Sequence, residues 1–252
     1  MSEAMSAEFD TVAEWTARVA LDLGEDYFVP AGCRGSGSPA ALDWLIDHLD
    51  LAAGETLLDC GAGIGGPAAY AVGARSVAPV LVEPEAGACR ASRALFDYPV
   101  TRADASALPI ADESVCAGWA LGVLCTTETQ LSLLREMRRV VRPPGRIGLL
   151  VLVAREPVID DHPEGNNFPT VEVLEDLIAR AGLRIDAWRG TGDLGPVPDE
   201  WNERVDAVTA RLGERYGGER PWRQAEEQSD RIGKALSTSA VTSELLSLRR
   251  LD

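Results

Sequence analysis

Apolar positions near the start of the chain recur at helical spacing, and then the spacing changes. Phe9, Val12, Ala13, Val19, Ala20 and Leu23 share one face of a 3.6-residue repeat and predict an amphipathic helix over 9–23. Gly32-Cys-Arg-Gly-Ser-Gly37 reads as a flexible loop. Ser38 followed by Pro39 reads as an N-cap and a first helical residue, with the helix running to about Leu49. After Gly54, short apolar runs predict strands at 56–60, 77–82, 99–103, 115–120, 146–153 and 183–189. Helical patterns lie between them at 66–74, 85–96, 128–141 and 171–181. Strands alternating with helices of this length mean βαβ units and a mostly parallel sheet. Two polar helices at 198–216 and 222–236 then interrupt the alternation, and 244–251 reads as a last strand.

Composition narrows the class of partner. The 252 residues carry 24 basic and 40 acidic side chains, a formal net charge of −16. Such a field argues against holding a nucleic acid or an anionic membrane by overall charge. The apolar share of 46% and the charged share of 25% are those of an ordinary globular protein. The five cysteines, at 33, 60, 89, 116 and 125, form no C-x-x-C pair, so reduced thiols are expected. Two histidines, His48 and His162, are too few for a multi-histidine site, and no metal is expected. The acidic N-terminus lacks the basic start and apolar core of a signal peptide. The longest apolar run, Ile147 to Ala154, is strand length. A cytoplasmic protein without a membrane partner is expected, as a monomer or homodimer.

The strongest chemical signal is Asp59-Cys60-Gly61-Ala62-Gly63-Ile64-Gly65-Gly66-Pro67, placed where a strand should stop and a helix should start. Glycines there permit a tight turn and close approach of a ligand, and the following helix aims unpaired N–H groups at the loop. Gly61, Gly63 and Gly66 also satisfy G-x-G-x-x-G, which fits a dinucleotide site as well. Three acids then stand at successive strand ends: Asp59 before the glycines, Glu83 ending the next run, and Asp104 following the third. A carboxylate after the second strand suits two ribose hydroxyls. One after the third can accept from an adenine amino group.

These segments resemble the class I S-adenosylmethionine-dependent methyltransferases, the seven-stranded Rossmann-like group acting on small molecules. The resemblance rests on Leu57-Leu-Asp-Cys-Gly-Ala-Gly-Ile-Gly65, Leu81-Val-Glu-Pro84, Ala103-Asp-Ala-Ser-Ala-Leu-Pro109 with Asp112-Glu-Ser114, Gly118-Trp-Ala-Leu-Gly-Val-Leu124, and Leu134-Arg-Glu-Met-Arg-Arg-Val-Val-Arg-Pro-Pro-Gly-Arg146. It covers roughly 43–189. It implies an α/β three-layer sandwich with strand order 3-2-1-4-5-7-6, the last strand antiparallel, helices on both faces and a helical cap. The expected division of this single domain is a cap at 1–37, a Rossmann-like core at 38–190, inserted helices over the acceptor side at 191–240 and the last strand at 241–252. The implied cofactor is S-adenosyl-L-methionine. Asp59, Cys60, Gly61, Ala62, Gly63 and Gly65 would hold its amino acid end. Glu83 would take the ribose hydroxyls, Pro84 would pack on the adenine, and Asp104 with Ala105 would meet the adenine edge. Ala120 and Leu121 would line the methionine portion. Arg34 suits the cofactor carboxylate through its planar fork.

The acceptor is expected to be a small organic molecule, with oxygen slightly favoured. The sulfonium methyl is already activated, so proximity and in-line orientation can suffice, with general-base help only if the acceptor must lose a proton. Many relatives carry a histidine after the fourth strand; here the segment is Val123-Leu-Cys-Thr-Thr127. The remaining candidate bases are His162, in a loop shared with Asp160, Asp161 and Glu164, and Tyr27. Those three acids could instead bind a cationic acceptor. Two alternatives stay open: a cofactor-binding protein of the same fold that does not transfer methyl (a cyclase, a rearrangement enzyme or a regulator), and an NAD-dependent oxidoreductase. Asp59 ahead of the loop and Asp104-Ala105 favour the methyltransferase over the oxidoreductase.

Overall fold

The computed structural model describes residues 7–159 and 161–251. Its strands are β1 (Thr56–Cys60), β2 (Ala78–Glu83), β3 (Val100–Arg102), β4 (Ala117–Leu121), β5 (Arg146–Ala154), β6 (Leu183–Gly190) and β7 (Val241–Arg250). They form one sheet in the order β3-β2-β1-β4-β5-β7-β6. The first five are mutually parallel, and β7 runs antiparallel to both β5 and β6. This is the expected sheet.

Period-two alternation explains why two layers of helix are needed. Leu57, Trp119, Leu121 and Leu150 face α3 (Pro39–Leu49) and α4 (Gly66–Arg75), where they pack with Leu42, Leu45 and Ala71. Leu58, Cys60, Val82, Ala120 and Leu149 face the opposite way, onto Leu133, Leu134 and Met137 of α6 (Gln130–Val140) and Leu174 and Ile178 of α7 (Val171–Arg180). All five residues of β4 are buried, as befits a central strand covered on both faces. Near the edge, α5 (Ala86–Phe96) covers β2 and β3 through Cys89 against Leu81 and Val100. The expected N-cap is present: Ser38 Oγ accepts from the Ala41 N–H at 3.3 Å, with Pro39 opening α3.

The N-terminal segment opens as a π-helical turn, Ala7–Val12, that runs into α1 (Ala13–Leu23). A short helix α2 (Phe28–Gly32) follows, inside a stretch without helical periodicity of its own. The insertion before β7 is α8 (Asp199–Tyr216) and α9 (Arg220–Ser237). These elements share a second core, in which Val12, Val19, Ala20, Val208, Leu212 and Trp222 are buried. Trp15 stacks on Tyr216 with centroids 4.2 Å apart. The cap is tied to the core by Glu14 to Arg90 and by Asp10 to the Gly87 N–H. No helix among the described residues is long and apolar enough to cross a membrane.

Candidate functional site

The parallel strands end together, and the loop between β1 and α4 lies across their ends. Gly61, Gly63 and Gly65 all have positive φ, at 71°, 53° and 91°. That backbone curls the loop so that Gly63 donates its N–H to Glu83 Oε2 at 2.8 Å. The other oxygen, Oε1, accepts from the Glu85 N–H at 2.9 Å. Each oxygen of this buried carboxylate is therefore aimed by one backbone donor, and each keeps a further lone pair. A side chain at Gly63 would point into space with no protein atom within 4 Å. The turn thus leaves a cradle open beside Glu83.

Asp59 stands on the neighbouring strand, 2% exposed. Its Oδ2 is buried with no hydrogen-bond partner. Burial pushes the Asp59 carboxyl up to about 7, against the pull of the Trp119 indole and the Ala68 N–H; the like charge of Glu83 adds to the rise. Burial likewise raises Glu83 to about 7, opposed by its two backbone donors. The Cys60 thiol is held high by burial and then by the charges of Asp59, Glu83 and Asp104. The three strand-end acids thus act on one place. Asp59 and Glu83 are desolvated acids that suit cationic groups and hydroxyls, and the positive end of α4 beside them suits an anionic group.

Asp104 is exposed and caps its own turn, with Oδ1 accepting from the Ser106 N–H at 2.8 Å and the Ser106 hydroxyl at 2.6 Å. Ala105 is half-buried beside it. The Pro84 carbonyl accepts from Arg102 Nε at 2.8 Å, which fixes the turn after β2. The stretch after Asp104 is clamped from α6. Glu136 Oε2 accepts from the Leu108 N–H, and Arg139 donates to the Leu108 and Ile110 carbonyls while pairing with Glu136 and Asp112. Part of the Leu134–Arg146 motif is thereby explained as scaffolding for the loop after Asp104.

The 32–37 loop crosses over the strand ends as a roof. A Cβ on Gly32 would sit 2.7 Å from Gly66 Cα, one on Gly122 would meet the Gly35 carbonyl at 3.4 Å, and one on Gly37 would lie 3.1 Å from Leu150 Cδ1. Ala120 and Leu121, at the end of β4, are buried. Arg34 projects from this roof toward the cap, its guanidinium carbon 5.9 Å from the centroid of the Trp222 ring. The side chain is solvent-accessible yet densely surrounded, as for a group lining a cleft. Burial lowers its pKa, and the charges of Glu8 and Glu226 oppose that.

The structure disperses the candidate bases. Tyr27 packs against the core of the cap. His162 is exposed, with Nδ1 2.8 Å from the Pro163 carbonyl and the ring 5.2 Å from Phe168. Its loop is docked onto α9: Asp161 pairs with Lys234 at 3.1 Å and Arg231 at 3.6 Å, and the Glu164 N–H donates to Gln228 at 3.0 Å. Asp160 lies outside the described residues. Cys125 is buried, with its thiol between the Leu152 N–H and carbonyl, and burial raises it to about 12. Sequence reasoning missed three contributors: Trp119 beside Asp59, Gln130 beneath the loop, and the roof glycines. Only the last left a visible signal, as a glycine-rich segment. A hollow of about 510 Å³ lined by Val29, Tyr70 and Trp201 lies on the solvent flank of α4, away from the strand ends.

Comparison with known proteins agrees with this geometry. Residues 58–149 match a family model described as a methyltransferase domain. A curated relative, methyltransferase GfsG from Streptomyces halstedii, is 34% identical over an alignment of 122 residues that covers 44% of this chain and 42% of that protein. The chain therefore aligns with less than half the length of that relative. Among solved structures, the 4+2 cyclase SpnF superposes with a TM-score of 0.67 at 22% identity, covering 86% of this chain and 84% of that one. Geranyl diphosphate C-methyltransferase from Streptomyces coelicolor, solved with S-adenosyl-L-homocysteine, gives a TM-score of 0.63 at 16% identity, covering 84% and 76%. Residues 58–149 are thus similar to a methyltransferase domain, and the strand order is that of the fold of the class I S-adenosylmethionine-dependent methyltransferases.

Proposed function

We propose that the chain binds S-adenosyl-L-methionine at the strand ends and transfers its methyl group to a small organic molecule. The observation that carries this reading is the pair of buried carboxylates at the glycine loop, Glu83 held by two backbone donors and Asp59 with an unpartnered oxygen. Asp59 and the 61–65 backbone would face the amino acid end, Glu83 the ribose hydroxyls, and Pro84, Asp104 and Ala105 the adenine. Ala120 and Leu121 would line the methionine portion, and Arg34 is the roof residue suited to a carboxylate. The bound cofactor supplies an electrophilic methyl on a sulfonium. The chain's own share is to orient it, to exclude water beneath the 32–37 roof, and to hold an acceptor in line, which can supply much of the barrier reduction.

Proximity and in-line orientation carry the transfer, with general-base help where the acceptor must lose a proton. An oxygen acceptor remains the favoured class, and His162 is the base to test first, ahead of Tyr27. A second reading is supported by the cyclase of like fold: a cofactor-binding protein that does not transfer methyl. Titration calorimetry with S-adenosyl-L-methionine should show binding in the wild type and at least about tenfold weaker binding in Glu83→Ala, since a buried charged acceptor is lost. Equal affinity in both proteins would overturn the site. Formation of S-adenosyl-L-homocysteine over a panel of small acceptors separates the transferase from the second reading.

A further inference from the structure

Asp59 and Trp119 are register partners on β1 and β4. Residues so paired project to the same face of the sheet, and the two side chains are 2% and 0% exposed. Asp59 Oδ2 and Trp119 Nε1 are both buried, and neither has a hydrogen-bond partner. An unpaired buried acceptor and an unpaired buried donor are each costly. Here they stand side by side, one able to answer the other.

We propose that Trp119 is a positioning residue for Asp59: its indole N–H closes onto the carboxylate when Asp59 is ionised, so that cofactor binding and deprotonation of Asp59 are one linked step. The inference rests on the cofactor reading above for its ligand, but the couple itself is a property of the chain. A neutral Asp59 offers no charge to a sulfonium or an ammonium. An ionised one, alone in a desolvated site, is unfavourable unless a donor and a cation answer it. The proton released passes to the buffer, and no covalent bond of the ligand changes.

The groups that bear on Asp59 come from four elements and the segment after α2. Glu83 on β2 raises it by like charge, and the Ala68 N–H of α4 and the Trp119 indole of β4 lower it. The thiols of Cys60 on β1 and Cys33 after α2 lie in its field, and burial keeps both above the ordinary thiol range, hence neutral near pH 7. Glu83 titrates in the same range, so the two acids lose their protons as a coupled pair. The indole is the group that reports the Asp59 share.

The test uses the full chain labelled with ¹⁵N at tryptophan, without ligand, the Trp119 indole resonance being assigned from Trp119→Phe. That resonance is expected to move with pH, with a midpoint near neutrality. It should become pH-independent in Asp59→Asn and persist at a lower midpoint in Glu83→Gln. An indole that does not titrate, or that titrates unchanged in Asp59→Asn, would overturn the proposal. Should Trp119→Phe fail to fold, the Asp59→Asn comparison, made with all tryptophans in place, still decides. In the second arm, S-adenosyl-L-methionine is titrated calorimetrically in two buffers of different ionisation enthalpy. Net proton release is expected in the wild type. Trp119→Phe should bind about tenfold more weakly, with its affinity midpoint at higher pH, because the carboxylate has lost a donor. A titrating indole without cofactor binding would overturn the cofactor reading and leave the couple standing; binding with a silent indole would overturn the couple alone.

Discussion

Gly63 is the residue where conformation and chemistry meet. Its φ of 53° is one that residues with a Cβ adopt reluctantly, and its N–H aims Glu83. Gly63→Ala is expected to cost about 1–2 kcal/mol of stability through the left-handed backbone alone, since nothing within 4 Å would clash. The loss of S-adenosyl-L-methionine affinity should exceed that, because the new methyl occupies the cradle. Urea denaturation beside calorimetric titration checks both. An affinity loss no larger than the stability loss would mean that the cradle is not the ligand's seat. The strand-end acids were legible for a simple reason: acids at the ends of apolar runs stand out against the pattern. Trp119 was not, because an aromatic inside a strand reads as packing until its neighbour across the sheet is known.

At the scale of elements, the loop after β5 and the turn after β4 hold one another through Gln130. Its side-chain amide, 7% exposed, donates to the Leu124 carbonyl at 2.8 Å and the Asn167 carbonyl at 2.9 Å. Gln130→Ala is expected to destabilise the fold by about 1–3 kcal/mol, since two buried acceptors lose a donor. It should also increase proteolytic cutting within 155–167, a stretch whose remaining ties run to Cys125, Ala240 and α9. Unchanged cutting would mean that the α9 ties alone secure the loop. The sequence pattern placed the strands within a few residues, because βαβ alternation is a local signal. It missed α2, where Pro30 and Gly32 obscure the period. Nor did it show that Asp161, one of the loop acids that could bind a cationic acceptor, is paired with Lys234 and Arg231 from a helix about seventy residues away.

At the scale of the whole molecule, two buried acids with raised pKa contribute to the pH dependence of stability. Asp59 and Glu83 bind protons more tightly folded than unfolded, since both rise to about 7 from 3.8 and 4.5. Their contribution is favourable below the unfolded values and is lost as pH rises through the folded ones. Without ligand, their contribution should therefore fall between about pH 4 and 7. Asp59→Asn should flatten that slope, and S-adenosyl-L-methionine should raise the melting temperature more at pH 8 than at pH 6. Melting curves at a series of pH values check all three, and a slope unchanged in Asp59→Asn would remove Asp59 as its source. The acidity of the chain as a whole, −16, follows from composition alone and carries no such information.

The sequence by itself determined the alternation of strands and helices, the glycine turn after β1 and the acids at successive strand ends. These are written in short segments whose periodicity and turn chemistry act locally. Tertiary structure alone decided which groups meet. The pairing of β1 with β4 put Trp119 beside Asp59. The path of the 32–37 loop carried Arg34 toward Trp222, and the clamp from α6 seated the loop after Asp104. Those contacts join residues 28 to about 190 positions apart, and whether a carboxylate there is hydrated or buried depends on the packing of every element around it. Burial, not residue type, is what lifts Asp59 and Glu83 toward neutrality.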